Sequence, residues 1–187
     1  MATRRQAIYL GAFILVAVYF LVWPVWRAQF PLEIWPTESW SAYFDVAAAD
    51  GGTLYPSSDQ LIANNYPPLS FYAIGWLARL LGDPIAVGRV LSMVALGAVG
   101  IEIALAAAAL GAGLAWGAIG GLWFVALMAH VSTSYVGASD PHLAGLAIMG
   151  AGLVWFIARD RAGRSCLGPL LLMVVAGFWK HNIVAIP

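Results

Sequence analysis

Charge is scarce in this sequence. Asp, Glu, Lys and Arg make up 10% of its 187 residues, against 62% hydrophobic residues. A soluble domain carries about 25% charged residues, so a water-facing globule is excluded and an integral membrane protein is expected. Cysteine is nearly absent. Cys166 stands alone, which rules out a disulfide within the chain and leaves the redox compartment unreadable. Excess charge of either sign is also missing. The formal net charge is zero, so bulk electrostatics give no reason to expect a nucleic-acid partner. Lysine occurs once, as Lys180. No tract is disorder-like or of low complexity.

Long apolar runs are what the sequence does have. The first, 7–26, reaches about 30 Å as a helix, the thickness of a bilayer core. Arg4 and Arg5 precede it, which predicts a cytoplasmic start. The run is too long for the apolar part of a signal peptide, about 7–15 residues, and no small-x-small cleavage site follows it. It reads as a retained first helix. Four further spans are expected, at 86–109, 114–131, 142–158 and 167–187, the last interrupted by Lys180, His181 and Asn182. The predicted fold is all-α, a polytopic membrane domain over 1–187 with about five transmembrane helices. Gly97, Gly100, Gly117, Gly120 and Gly121 favour close helix packing, and Gly111-Ala112-Gly113 a tight hairpin.

Between the first and second spans lies a long segment, 27–85. Its piece 69–81 is apolar but reaches only about 20 Å and carries Arg79. If it does not span, Arg159, Arg161 and Arg164 fall on the same side as Arg4 and Arg5, as the positive-inside rule prefers. The whole segment is then an extracytoplasmic loop, with 69–81 an interfacial helix.

A second interfacial helix is expected near 38–50. Thr37 is its candidate cap, and Asp50-Gly51-Gly52 its stop. At about 100° per residue, Glu38, Ser41 and Asp45 share one face, and Trp40, Tyr43, Phe44 and Ala47 the other. The aromatic face suits the membrane boundary, with the acidic face opposite. Residues 27–67 hold Glu33, Glu38, Asp45, Asp50 and Asp59 against Arg27 alone, a loop acidic enough to act as a base or to bind a cation. A solvated acidic face is the alternative reading.

Several short motifs follow in order: Gly52-Thr53-Leu54-Tyr55, Tyr66-Pro67-Pro68-Leu69, Gly88-Arg89-Val90-Leu91-Ser92, Ser139-Asp140-Pro141-His142 and Trp179-Lys180-His181-Asn182. With Glu38 ahead of them, the set resembles the GT-C superfamily of membrane glycosyltransferases. The nearest likeness is to polyprenyl-phosphate-sugar-dependent enzymes related to protein mannosyltransferases and the aminoarabinose transferase of lipid A. The resemblance implies a glycosyltransferase in the bacterial inner membrane, of which this chain reads as the N-terminal part. Its donor would be a polyprenyl-phosphate-linked sugar, and its acceptor a lipid, glycan or protein. Attack would invert the anomeric centre. The family's acid is more often Asp or an Asp-Glu pair; here Thr37 precedes a single Glu38.

The expected chemistry needs a base for the acceptor's proton and cations for the departing lipid phosphate. Glu38, then Asp45, are the candidate bases. Arg89, Lys180 and His181 are the candidate phosphate ligands, Lys180 because a charge inside an apolar segment is costly and usually functional. Tyr66, Asp140 and His142 are possible acceptor or metal contacts, with Asp140 as a helix cap the plainer alternative. No cofactor is required; a divalent cation is possible, although no tight ligand spacing supports one. Glu102 reads as a bundle residue and His130 as an interface residue. The competing classes are a transporter or channel, drawing on Glu102 and Lys180, and a non-catalytic membrane assembly factor.

Overall fold

The computed structural model describes residues 3–185. Within them the chain forms seven α-helices and one short 3-10 turn, and no strand. Four helices are long and apolar enough to cross a membrane: α1 (Arg4–Arg27), α4 (Pro84–Ala109), α5 (Leu114–Val131) and α6 (His142–Arg161). Between α1 and α4 lie the shorter α2 (Thr37–Ala49) and α3 (Leu69–Leu81); α7 (Leu167–Trp179) follows α6.

Local chemistry sets the long helices' starts. Thr3 and Gln6 form a capping box at α1, with the Thr3 amide donating to Gln6 Oε1 at 2.7 Å and the Gln6 amide to Thr3 Oγ1 at 3.3 Å. At α4, both Asp83 carboxylate oxygens accept backbone amides, from Ile85 and Ala86, and Pro84 takes the first helical position. The α4–α5 hairpin turns on Gly111 and Gly113, whose φ values of 100° and 81° favour glycine.

Helix α4 is the centre of the bundle, with α5 and α6 against it, α1 on α5 and α7 on α6. The α4–α5 seam is backbone on backbone. A Cβ at Gly121 would strike the Gly100 carbonyl, and one at Gly117 the Ala104 carbonyl. The main core gathers Ala95, Leu96, Ala129, Val136, Leu143, Ala144 and Trp179. Outward faces stay apolar, with Leu15, Tyr19 and Val22 on α1 and Val90, Val94 and Ile101 on α4 all exposed. That is the surface a bilayer would cover.

The short helices α2 and α3 pack on each other through Phe44, Ala48, Leu54 and Phe71. Their bounds match the two expected interfacial helices within a residue. The acidic face of α2 is buried, with Glu38 and Asp45 both 0% exposed; of the aromatic face Tyr43 is open and Phe44 is buried against α3. The reason is a partner for Glu38, Arg89 on α4. Thr37 does not cap α2. Pro36 holds the cap position and the Thr37 hydroxyl is buried without a hydrogen bond.

Among the described residues four helices have spanning length, against the expected count of about five, and the last apolar run makes the difference. Its helix stops at Trp179 after 13 residues, about 20 Å and short of a bilayer core. Lys180 is extended (φ −150°, ψ 116°), and a 3-10 turn, His181–Ala185, follows. Positions 186 and 187 of the expected span 167–187 lie outside the described residues. Helix α6 runs on to Arg161, past the expected limit of 158.

Candidate functional site

The end of α1, the start of α4, the connection 132–141, the start of α6 and the break after α7 meet at one end of the bundle. Two buried ion pairs lie there. In the first, Arg89 Nε donates to Glu38 Oε1 at 2.9 Å and Arg89 Nη2 to Oε2 at 2.7 Å. The Ile34 and Ser139 amides each add a 2.6 Å bond to the same carboxylate. Arg89's remaining N–H groups reach the carbonyls of Ala28 (3.3 Å), Phe30 (2.6 Å) and Leu32 (2.5 Å). A guanidinium has five N–H donors, and here all are used.

Glu38 is thus a charged tie. Burial alone would push its carboxyl up, but the Arg89 bonds and the two amides outweigh that and hold it below the usual carboxylate range. Such a carboxylate is a weak base, and a saturated guanidinium has no N–H left for a phosphate. Arg27 extends the tie. Its Nη2 donates to the Thr133 and Val136 carbonyls, the latter at 2.8 Å, and fastens the 132–141 connection to α1.

Asp45, two turns along α2, has no such partners. Both carboxylate oxygens are buried without a hydrogen bond, and burial pushes the group up to about 8. At neutral pH it holds its proton.

The second ion pair joins Lys180 and Asp140. Lys180 Nζ lies 3.3 Å from each carboxylate oxygen and 4.0 Å from the centre of the Tyr66 ring, a cation–π contact. Lys180 is 3% and Asp140 9% exposed. The His181 ring stacks edge-on to Tyr66 at 5.7 Å. Asp140 does not cap α6; Pro141 does, and Asp140 Oδ1 accepts the His142 amide at 2.7 Å. Trp179 Nε1 donates to the Pro141 carbonyl at 3.1 Å, pinning the end of α7 to the start of α6. Tyr66 is fixed in turn. Its amide donates to Asn64 Oδ1 (2.8 Å), its carbonyl accepts the Tyr55 hydroxyl (2.9 Å), and Asn64 Nδ2 donates to the Leu54 carbonyl (3.0 Å).

Tyr66, Asp140, Lys180 and His181 are therefore brought together. Glu38 and Arg89 are joined to each other, with consecutive residues Ser139 and Asp140 linking the two pairs. His142 lies beside them, stacked on Tyr135 at 4.8 Å with Nδ1 buried and without a hydrogen bond. Glu102 is elsewhere, against Gly150, and His130 stacks on Phe20. Among the described residues no three His, Cys, Asp or Glu side chains gather as a metal site would need.

The bundle also holds an apolar groove of about 820 Å³. Pro67 and Pro68, directly after Tyr66, line one part of it. Val99, Ile103 and Phe124 line another, with Leu146 and Met149 of α6 and Val174, Gly177 and Phe178 of α7. Tyr66, Asp140, Lys180 and His181 do not themselves line it; Lys180 follows the lining residue Phe178 by two positions, and Tyr66 directly precedes Pro67.

Sequence reasoning undervalued three contributors. The carbonyls of Ala28, Phe30 and Leu32 have no side-chain signature. Ser139 acts through its backbone amide. Arg27 was readable only as a lone cation beside an acidic loop.

No protein-family model, no curated protein and no solved structure matches the chain.

Proposed function

We propose that the protein handles a polyprenyl-phosphate-linked sugar and transfers the sugar at the extracytoplasmic face of a bacterial inner membrane. One observation carries this reading: an apolar groove is lined by Pro67 and Pro68, which directly follow Tyr66, and a buried lysine sits over the Tyr66 ring. An isoprenoid chain needs the first and its phosphate the second. Helix polarity supports the orientation. Arg4, Arg5, Arg159 and Arg161 belong to the end opposite the ion pairs, which the positive-inside rule assigns to the cytoplasm.

In this reading Lys180, with His181 nearby, takes the leaving phosphate. The acceptor's lone pair attacks the anomeric carbon, the carbon–oxygen bond to phosphate breaks with its electrons going to the phosphate, and the acceptor's proton passes to a carboxylate. Asp140 fits that role better than Glu38, whose oxygens already accept four N–H bonds, or Asp45, which has no exposure. Glu38 and Arg89 hold the loop that frames the site.

A non-catalytic lipid-phosphate-binding assembly factor is the second reading. The commitment of Glu38 to Arg89 favours it. Proteoliposomes containing the protein and an undecaprenyl-phosphate sugar separate the two. Transfer of the sugar to a water-soluble or lipid acceptor, lost in Lys180→Met, supports the transferase; binding of the donor without turnover supports the factor.

A further inference from the structure

We propose that Asp140 is a displaceable internal anion that occupies Lys180 until an anionic phosphate headgroup replaces it. This rests on the lipid-phosphate reading of the same site.

The two ion pairs at this end of the bundle are built differently. Glu38 is fixed by short bonds from both sides, four of them at 2.6–2.9 Å. Lys180 meets Asp140 only at 3.3 Å, to both oxygens equally. Asp140 has one short bond, 2.7 Å from the His142 amide, and this does not depend on Lys180. If the lysine leaves, Oδ1 keeps that partner. The lysine likewise keeps the Tyr66 ring. Breaking this contact strips Lys180 of both its hydrogen bonds and Asp140 Oδ2 of its one, so the lysine needs another anion in exchange; Glu38 and Arg89, if parted, would still keep two amide and three carbonyl bonds.

Charge makes the exchange necessary. With Asp140 in place the second pair is neutral, and so is the first. A phosphate arriving beside Lys180 would meet a carboxylate at the cation it needs. That repulsion is relieved when the lysine moves to the phosphate and the Asp140 carboxylate turns away from it or takes up a proton. Lys180 is placed to move, because it leaves an extended residue between α7 and the 3-10 turn and not a helix interior.

The test is equilibrium binding of undecaprenyl phosphate to the full chain in phosphatidylcholine nanodiscs. The variants are Asp140→Asn, Lys180→Met and the double variant. Asparagine keeps an oxygen for the His142 amide and loses only the charge. The expected result is a several-fold gain in affinity for Asp140→Asn, a loss for Lys180→Met, and no gain from Asp140→Asn once Lys180 is gone. Asp140→Ser, which also retains an acceptor oxygen, is the second variant if the first melts early. Inorganic phosphate and phosphatidylglycerol are run as separate arms. A gain confined to undecaprenyl phosphate assigns the exchange to the long-chain lipid, and an equal gain in all arms assigns it to phosphate at large. Wild-type binding with unchanged or weaker binding in Asp140→Asn would overturn the exchange and leave the lipid-phosphate reading intact. Absence of binding in both wild type and Asp140→Asn would overturn the reading itself.

Discussion

Arg89 closes on Glu38 through two parallel N–H···O bonds, and its other three N–H groups hold the carbonyls of Ala28, Phe30 and Leu32. One guanidinium thus joins α4, α2 and the turn after α1. The acid that heads the sequence motif and the arginine that follows it are bonded to each other in the interior.

Glu38→Gln should for that reason act on folding. It leaves a buried guanidinium without its counter-charge, a loss of about 3–5 kcal/mol. A large drop in melting temperature of the purified protein is expected, with Glu38→Met/Arg89→Met recovering part of it. A base role would instead give a variant of normal stability and no turnover.

Asp45 gives the protein a pH-dependent stability. Its folded-state value of about 8 lies above the usual 3.8, so the folded chain keeps a proton that the unfolded chain has lost between those values. Stability then falls as pH rises from about 4 to about 8, by up to about 1.4 kcal/mol per pH unit. Asp45→Asn should flatten that slope in melts taken from pH 5 to 8, and leave the protein more stable at pH 8.

The α4–α5 seam should tolerate no added bulk. Gly121→Val places atoms against the Gly100 carbonyl, and overpacking of this kind costs about 1–3 kcal/mol. Gly97→Ala, where a Cβ meets open space, is the neutral control. Thermal melts in one detergent compare the two.

Filling the groove should weaken lipid binding without unfolding the chain. Val174 lines the groove and is 54% exposed, so Val174→Trp adds bulk where there is room. Undecaprenyl phosphate should then bind several-fold more weakly, with the melting temperature unchanged within a few degrees.

Much of the architecture was legible. Length and apolarity located α1, α4, α5 and α6, and the wheel of α2 correctly grouped Glu38 with Asp45. What was not legible was how deeply that face is buried. The wheel separates two faces but does not say which points inward; Arg89, some fifty residues on, decides it. The expected span 167–187, interrupted by Lys180, His181 and Asn182, does break at Lys180, but what shapes the break was not legible. Composition makes Lys180 an oddity within an apolar run, while the pull of Asp140 and Tyr66 and the extended backbone at Lys180 come from tertiary contacts. Lys180, Tyr66, His181 and Asp140 were each singled out by residue type. Their convergence depended on Trp179 pinning α7 to Pro141, a bond between a side chain and a distant carbonyl that no local pattern announces.

The central claim is that Lys180 receives a lipid phosphate. Native mass spectrometry of the full chain with added undecaprenyl phosphate tests it most directly. The account predicts one saturable lipid adduct on the wild type, lost in Lys180→Met at unchanged melting temperature. An adduct retained equally by both, or found on neither, would contradict it.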